Sequence, residues 1–270
     1  MDEPDKNWIR QVPGDPAFKD VAWSRPENLN ARGKILIIGG NSNGFRLPAQ
    51  AYDFVSQANV GTVRAILPNV IRQMMLSTNF IADYCNSTSS GGFARTCLSE
   101  FLAASSWADG TLLAGDFGRN SETAMLLEDY VQKYDGLICL TKDSIDFMAA
   151  TPQIVFERAD TILAANFGQL QKMLTKYNPK WLISHSQSLL NFITSLSVIS
   201  KSVNCMILVE FADQIHVAYK GRVSSTKHKS GEEVWQLRAA SFASVWAIQQ
   251  PNKIFEAVTC SIAIAESPQT

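Results

Sequence analysis

The run Lys34-Ile35-Leu36-Ile37-Ile38, closed by Gly39-Gly40, limits what this chain can fold into more than any other stretch. A continuous apolar run of strand length is buried on both faces, which places it in the middle of a parallel sheet. The next such run, Thr62-Val63-Arg64-Ala65-Ile66-Leu67, begins 28 residues later, with helix-like sequence from Pro48 to Ala58 between them. That is one βαβ unit. The pattern continues, and strands are expected at 34–39, 62–67, 111–114, 137–140, 160–164, 181–184 and 205–210. Helices are expected at 69–76 after Pro68, at 93–105, 124–131 and 187–199, in a segment running to Lys176, at 235–249 and at 253–265. Short strands at Cys205–Phe211, Gln214–Tyr219 and Arg222–Thr226, with Ala212-Asp213 and Lys220-Gly221 as tight turns, form a short antiparallel extension near 205–226. The expected architecture is a three-layer α/β/α sandwich around a mostly parallel sheet.

The stretch Ala114-Gly115-Asp116-Phe117-Gly118-Arg119-Asn120-Ser121-Glu122-Thr123 follows the third of these strands. Strand, glycine loop and helix start put backbone N–H groups at the carboxyl end of a parallel sheet, where open α/β folds bind anions. The bland alternative is a helix start capped by Asn120 or Ser121, with Gly115 and Gly118 as turn residues. Thr141-Lys142-Asp143-Ser144 ends the next strand, so Lys142 and Asp143 face the same crevice unless Asp143 or Ser144 only caps the following helix. Asn86–Gly92 reads as a surface loop, a plain connection or a lid. His185 ends a strand with no acid or nucleophile at a telling spacing, and such a histidine is more often structural or exposed than catalytic.

The chain has 270 residues with a net charge of -1, and no basic stripe stands out, which argues against nucleic acid and anionic membranes as partners. No apolar run reaches membrane-spanning length. Cys85, Cys97, Cys139, Cys205 and Cys260 are scattered without metal-ligand spacing. No metal site or disulfide framework is expected, and the usage fits a reducing cytoplasm. Cys139 and Cys205 read as core residues, and Lys227–Glu233 as an exposed tract. Residues 1–32 carry Pro13, Pro16 and Pro26 alongside Trp8 and Trp23, and read as an arm packed on the domain or on a partner subunit. Residues 33–270 read as a single domain.

The order of these pieces resembles the ADP/ATP-dependent NAD(P)H-hydrate dehydratases of the ribokinase-like superfamily, over roughly Gly33 to Ala265. Gly33–Asn41 is similar to that family's opening strand and Gly-Gly-Ser loop, and Gln57–Val63 to its Ala-Gly-x-Gly-x-Val segment. Trp107–Gly110 followed by Ala114–Arg119 resembles its Gly-Pro-Gly-Leu-Gly loop after an Ala-Asp pair. Leu140–Ser144 stands where the family has Leu-Asp-Ala-Asp-Ala, keeping the second acid as Asp143. The family's Thr-Pro-His-x-Gly-Glu stands here as Ala164–Gln169, with Asn166 for His, Gly168 kept and Gln169 for Glu. Its Leu-Lys-Gly-Ala strand end is Val209–Ala212, with Glu210 for Lys, and its Gly-Thr-Gly-Asp loop aligns with Trp235–Arg238. The first change replaces an attraction for phosphate with a repulsion. The second removes the glycines that open an anion hole and puts Arg238 in place of the proton-transferring acid.

The resemblance implies a ribokinase-like fold and places a ligand crevice at Gly40, Asn41, Gly115, Gly118, Arg119, Lys142, Asn166 and Gly168. Asp143, Asp116 and Arg238 are the candidates for chemistry there. ADP or ATP with Mg would be the cofactor and NAD(P)H hydrate the substrate of an active member. Several parts of the site change together, which points to a pseudoenzyme or small-molecule-binding protein that keeps the crevice. The alternative is a nucleotide-dependent dehydratase or small-molecule kinase with rebuilt parts, Arg238 or Lys142 stabilising the phosphate and Asp116 or Asp143 acting as base. A further alternative is a structural homo-oligomer joined through Trp8, Trp23, Trp246 and Phe255.

Overall fold

A computed structural model describes residues 7–75, 82–229 and 234–267. The strands are β1 (Trp8–Gln11), β2 (Lys34–Gly39), β3 (Thr62–Pro68), β4 (Ala82–Cys85), β5 (Gly110–Gly115), β6 (Leu137–Thr141), β7 (Thr161–Ala165), β8 (Met206–Phe211), β9 (Gln214–Tyr219) and β10 (Arg222–Lys227). The helices are α1 (Lys19–Trp23), α2 (Arg46–Gln57), α3 (Leu98–Ser105), α4 (Ser121–Lys133), α5 (Asp143–Met148), α6 (Gln153–Phe156), α7 (Phe167–Tyr177), α8 (Leu189–Ser202), α9 (Trp235–Gln249) and α10 (Ile254–Ala265). One sheet holds every strand in the order β1-β10-β9-β8-β7-β6-β5-β2-β3-β4. It is parallel from β8 through to β4, and β9 and β10 add the antiparallel extension.

The pleat of β2 shows how the layers arise, because successive side chains point to opposite faces. Leu36 and Ile38 enter the core that includes residues of α3, α4, α7 and α8, while Ile35 and Ile37 enter the one that includes residues of α2, α9 and α10. α9 is buried almost all round, covered by the sheet on one side and by α2 and α10 on the other. This is the three-layer sandwich expected from the apolar runs. Both hairpin turns carry two consecutive residues at positive φ: Ala212 and Asp213 at 50° and 55°, Lys220 and Gly221 at 48° and 83°. That is the backbone a two-residue turn needs to match strand twist.

Several local expectations need correction. Trp181–Ser184 is not a strand. β7 pairs directly with β8, Ile162 opposite Met206, so the sheet has no slot for it. Leu182 is 72% exposed, and the segment is held by Gln171 Nε2 donating to Ile183 O at 2.7 Å. The helix expected at 93–105 begins as a 3-10 turn over Arg95–Cys97 and becomes α-helical at Leu98, because Phe93 is buried against Phe101 and Phe117 on extended chain. The segment after Pro68 is a 3-10 helix over Asn69–Met75, and Leu76 lies outside the described residues. β1 and β4 are strands that the apolar pattern does not reveal. β1 lies parallel to β10, with Trp8 Nε1 donating to Ser225 Oγ at 2.8 Å. All five cysteines are buried free thiols.

Candidate functional site

The carboxyl ends of β2, β5 and β6 meet at the glycine loop. Gly40 N donates to Gly115 O at 3.0 Å, and Asn41 Nδ2 donates to Asp116 O. The approach is close: a Cβ on Gly39 would lie 2.5 Å from Gly115 O. Gly115 itself has φ +107, and a Cβ there would meet Leu47 Cδ1 at 2.8 Å and Lys142 Cβ at 2.9 Å, so only glycine fits. Two non-glycine residues beside it also have positive φ, Asp116 at 60° and Lys142 at 55°. Such backbone persists only where its surroundings over-determine it.

Hydrogen bonds supply that determination. Asp116 Oδ2 accepts from Leu47 N at 2.8 Å, capping α2, whose own Phe45 offers no side-chain acceptor. Asp143 Oδ2 accepts from Phe117 N at 2.9 Å. The Asp143 carboxyl is pushed up to about 6: burial raises it most, the Phe117 N–H pulls it down, and the Asp116 charge pushes it up again. Its other oxygen, Oδ1, is buried without a hydrogen-bond partner among the described residues. Asn120 caps α4 through Glu122 N at 2.7 Å and Thr123 N at 3.2 Å. Its Nδ2 donates to Ser90 Oγ, and Ser42 N donates to Gly91 O at 2.9 Å, so the 86–92 loop is pinned on the glycine loop as a rim. Ser144 Oγ donates to Thr141 O at 2.7 Å and accepts from Thr141 N, a local turn bond. Arg119 is exposed.

A chain of amides joins this crevice to α7 and α9. Asn166 and Gln169 form a capping box on α7. Gln169 Nε2 donates to Lys142 O at 2.9 Å, and Gln236 Nε2 donates to Gln169 Oε1 at 3.0 Å and to Ala164 O at 2.6 Å. Gly168 is exposed in the first turn of α7. Asn166, Gly168, Lys142 and Asp143 thus belong to one connected rim.

Arg238 points elsewhere. Two residues along a helix turn the side chain about 200° from Gln236, and Arg238 Nη2 reaches Glu266 Oε1 at 2.8 Å instead. His228 Nδ1 lies 2.6 Å from Glu266 Oε2. Burial pushes the Glu266 carboxyl up, but the His228 and Arg238 hydrogen bonds outweigh it and the net shift is downward. His228 is buried, a correction to the exposed tract expected over 227–233, of which 230–233 lie outside the described residues. Glu210, half-buried on β8, is 3.9 Å from His228 Nε2. This second cluster was not found by sequence reasoning, since nothing in the spacing of Glu210, His228, Arg238 and Glu266 signals that they converge.

Among the described residues, no group of three or more His, Cys, Asp or Glu side chains is placed to hold a metal ion. No described helix is long and apolar enough to cross a membrane. No protein-family model and no curated protein matches the sequence. Solved structures do match the fold. A ribokinase-like superfamily protein from Enterococcus faecalis V583 aligns at TM-score 0.72 and 11% identity, over 97% of this chain and 87% of that one. The ADP/ATP-dependent NAD(P)H-hydrate dehydratase from Bacillus subtilis, co-crystallised with ATP/Mg2+, aligns at TM-score 0.59 and 11% identity, over 93% and 87%. A pyrophosphate-dependent kinase in the ribokinase family, complexed with a pyrophosphate analogue and myo-inositol, aligns at TM-score 0.50 and 9% identity, over 86% and 94%. At these identities the likeness establishes a ribokinase-like fold and nothing finer.

Proposed function

We propose that this chain is a ribokinase-like small-molecule-binding protein that has given up nucleotide-dependent chemistry. One observation carries the reading: the protein's own carboxylates occupy two backbone donors at the crevice. Asp143 takes the Phe117 N–H of the glycine loop and Asp116 takes the Leu47 N–H at the start of α2. A helix start or glycine loop binds phosphate through such unpaired N–H groups. Here an incoming phosphate would have to displace a carboxylate and remain beside its charge. Asp146 on α5 adds further negative charge beside Asp143. Two like charges about 4 Å apart at an effective dielectric near 20 cost about 4 kcal/mol. These residues do not fit a nucleotide phosphate.

The proton-transfer part of the reading rests on Arg238. It stands where the resembled family has its acid, and it is tied to Glu266 through a 2.8 Å ion pair, directed away from Gln236. A guanidinium does not accept a proton at neutral pH.

The test is turnover. Purified protein is assayed for dehydration of NADH and NADPH hydrates with ADP–Mg or ATP–Mg, and for release of ADP from ATP–Mg with a panel of small alcohols. No turnover above a buffer control is expected. Turnover that Asp143→Ala abolishes would establish the alternative, an enzyme with a rebuilt site.

A further inference from the structure

The same rim of the sheet has a second hollow, at the ends of β7 and β8 and away from the glycine loop. It is a cavity of 420 Å³, inside the range of about 300–1,000 Å³ that small-molecule sites occupy. Phe167, Phe211 and Leu189 give it an apolar lining. The Phe167 and Phe211 rings stack with centroids 5.5 Å apart, and the exposed His185 ring sits 3.8 Å from Phe167.

The cavity carries two carboxylates beside the His185 imidazole. Glu210 and Asp213 line it, and no described lysine or arginine does. Behind Glu210, His228 Nδ1 and Arg238 Nη2 both engage Glu266. His228 Nε2 stands 3.9 Å from Glu210 Oε1, beyond hydrogen-bond reach. Gln187 also lines the cavity, and its amide Nε2 has no hydrogen-bond partner among the described residues. Water or an oxygen of a bound molecule can accept from this donor.

We infer that this cavity binds an organic cation built on a flat ring, an aromatic amidinium or ammonium compound. Its charge faces Glu210 and Asp213, its ring lies on the Phe167–Phe211 wall, and an oxygen substituent accepts from Gln187. The combination selects against anions by charge and against aliphatic cations by the ring-lined wall. The inference goes beyond the loss of phosphate binding at the glycine loop and does not depend on it, since the two rest on different strands and different side chains.

Titration calorimetry of the full chain with benzamidine at neutral pH and low salt tests it, with benzoate as a probe of similar shape and opposite charge. Saturable binding of benzamidine and none of benzoate is expected. Glu210→Gln and Asp213→Asn remove charge while keeping shape, and asparagine tolerates the positive φ of position 213. Each is expected to weaken benzamidine by about tenfold or more. Equal binding of the two probes overturns the inference, as does no benzamidine binding at millimolar concentration or full affinity in both variants. If one variant fails to fold by circular dichroism, the other and the benzoate comparison still decide. ATP–Mg is titrated alongside. ATP–Mg that competes with benzamidine overturns the cation assignment as well as the loss of phosphate binding. ATP–Mg that binds without competing overturns only the latter.

Discussion

Replacing Asp143 with asparagine separates the charge of this group from its hydrogen bond. The amide keeps an acceptor for Phe117 N–H, which the wild-type carboxylate accepts at 2.9 Å, and loses the ionisation. In the folded protein the carboxyl is pushed from the ordinary 3.8 up to about 6, chiefly by burial. The folded state therefore holds a proton that the unfolded chain has already shed between those values. The contribution is fully present below pH 3.8, is lost as pH rises toward 6, and changes little above it. At about 1.4 kcal/mol per pH unit, ionising Asp143 costs the wild type about 3 kcal/mol at neutral pH. Asp143→Asn is then more stable than wild type by about 0.5 kcal/mol at pH 4 and by about 3 kcal/mol at pH 7. Urea unfolding of both proteins at pH 4, 5, 6 and 7 measures this. Titrating groups that do not interact with Asp143 cancel in the difference, while Asp116 and Asp146, which repel it, are part of the effect. A stability difference that stays constant across the series would refute the placement of a buried, self-repelled carboxyl at the glycine loop.

Two further substitutions test the scaffold. Gly115→Ala is expected to cost about 3 kcal/mol or more, because it combines a φ of +107 with Cβ contacts of 2.8 and 2.9 Å. A thermal melt within a degree of wild type would contradict that. Glu266→Gln removes the anion that Arg238 Nη2 and His228 Nδ1 both reach and is expected to cost about 3 kcal/mol near neutral pH. Because the Glu266 carboxyl is held below its ordinary value, its contribution is present above pH 4.5 and fades as pH falls further, so the variant and wild type should converge in acid. Denaturant titrations at pH 7 and pH 4 compare them.

The fold was largely legible because buried parallel strands are apolar on both faces, and β2, β3, β5, β6, β7 and β8 each carry such a run. β1 and β4 were not legible. They are edge strands of four residues each, and Arg10 and Asp83 break any apolar alternation. Trp181–Ser184 misled because a short apolar run reads the same whether or not the sheet has room for it. The crevice was partly legible. Gly39, Gly40, Gly115 and Gly118 mark the close approach of two loops. Nothing in the sequence shows that Asp116 turns back to cap α2 across 69 residues, or that Asp143 fills the N–H of Phe117. Those are tertiary hydrogen bonds between residues whose local sequence suits an ordinary turn equally well. Asn120 was legible as a cap because capping is a local interaction, and the structure places it there. Arg238 could be assigned a position in α9 but not a direction, since its partner Glu266 follows the next helix.

The most direct test of lost phosphate binding is thermal stability with and without millimolar ADP, ATP, NADH and NADPH, each with magnesium. A ligand at about a hundred times its Kd would stabilise the folded chain by about 2.7 kcal/mol, a shift of roughly 5–10 °C for a domain of this size. The carboxylate-filled loop predicts no shift with any of the four. A shift of several degrees with an adenine nucleotide, absent with magnesium alone, would contradict it and would mean that phosphate displaces Asp143 from the Phe117 N–H.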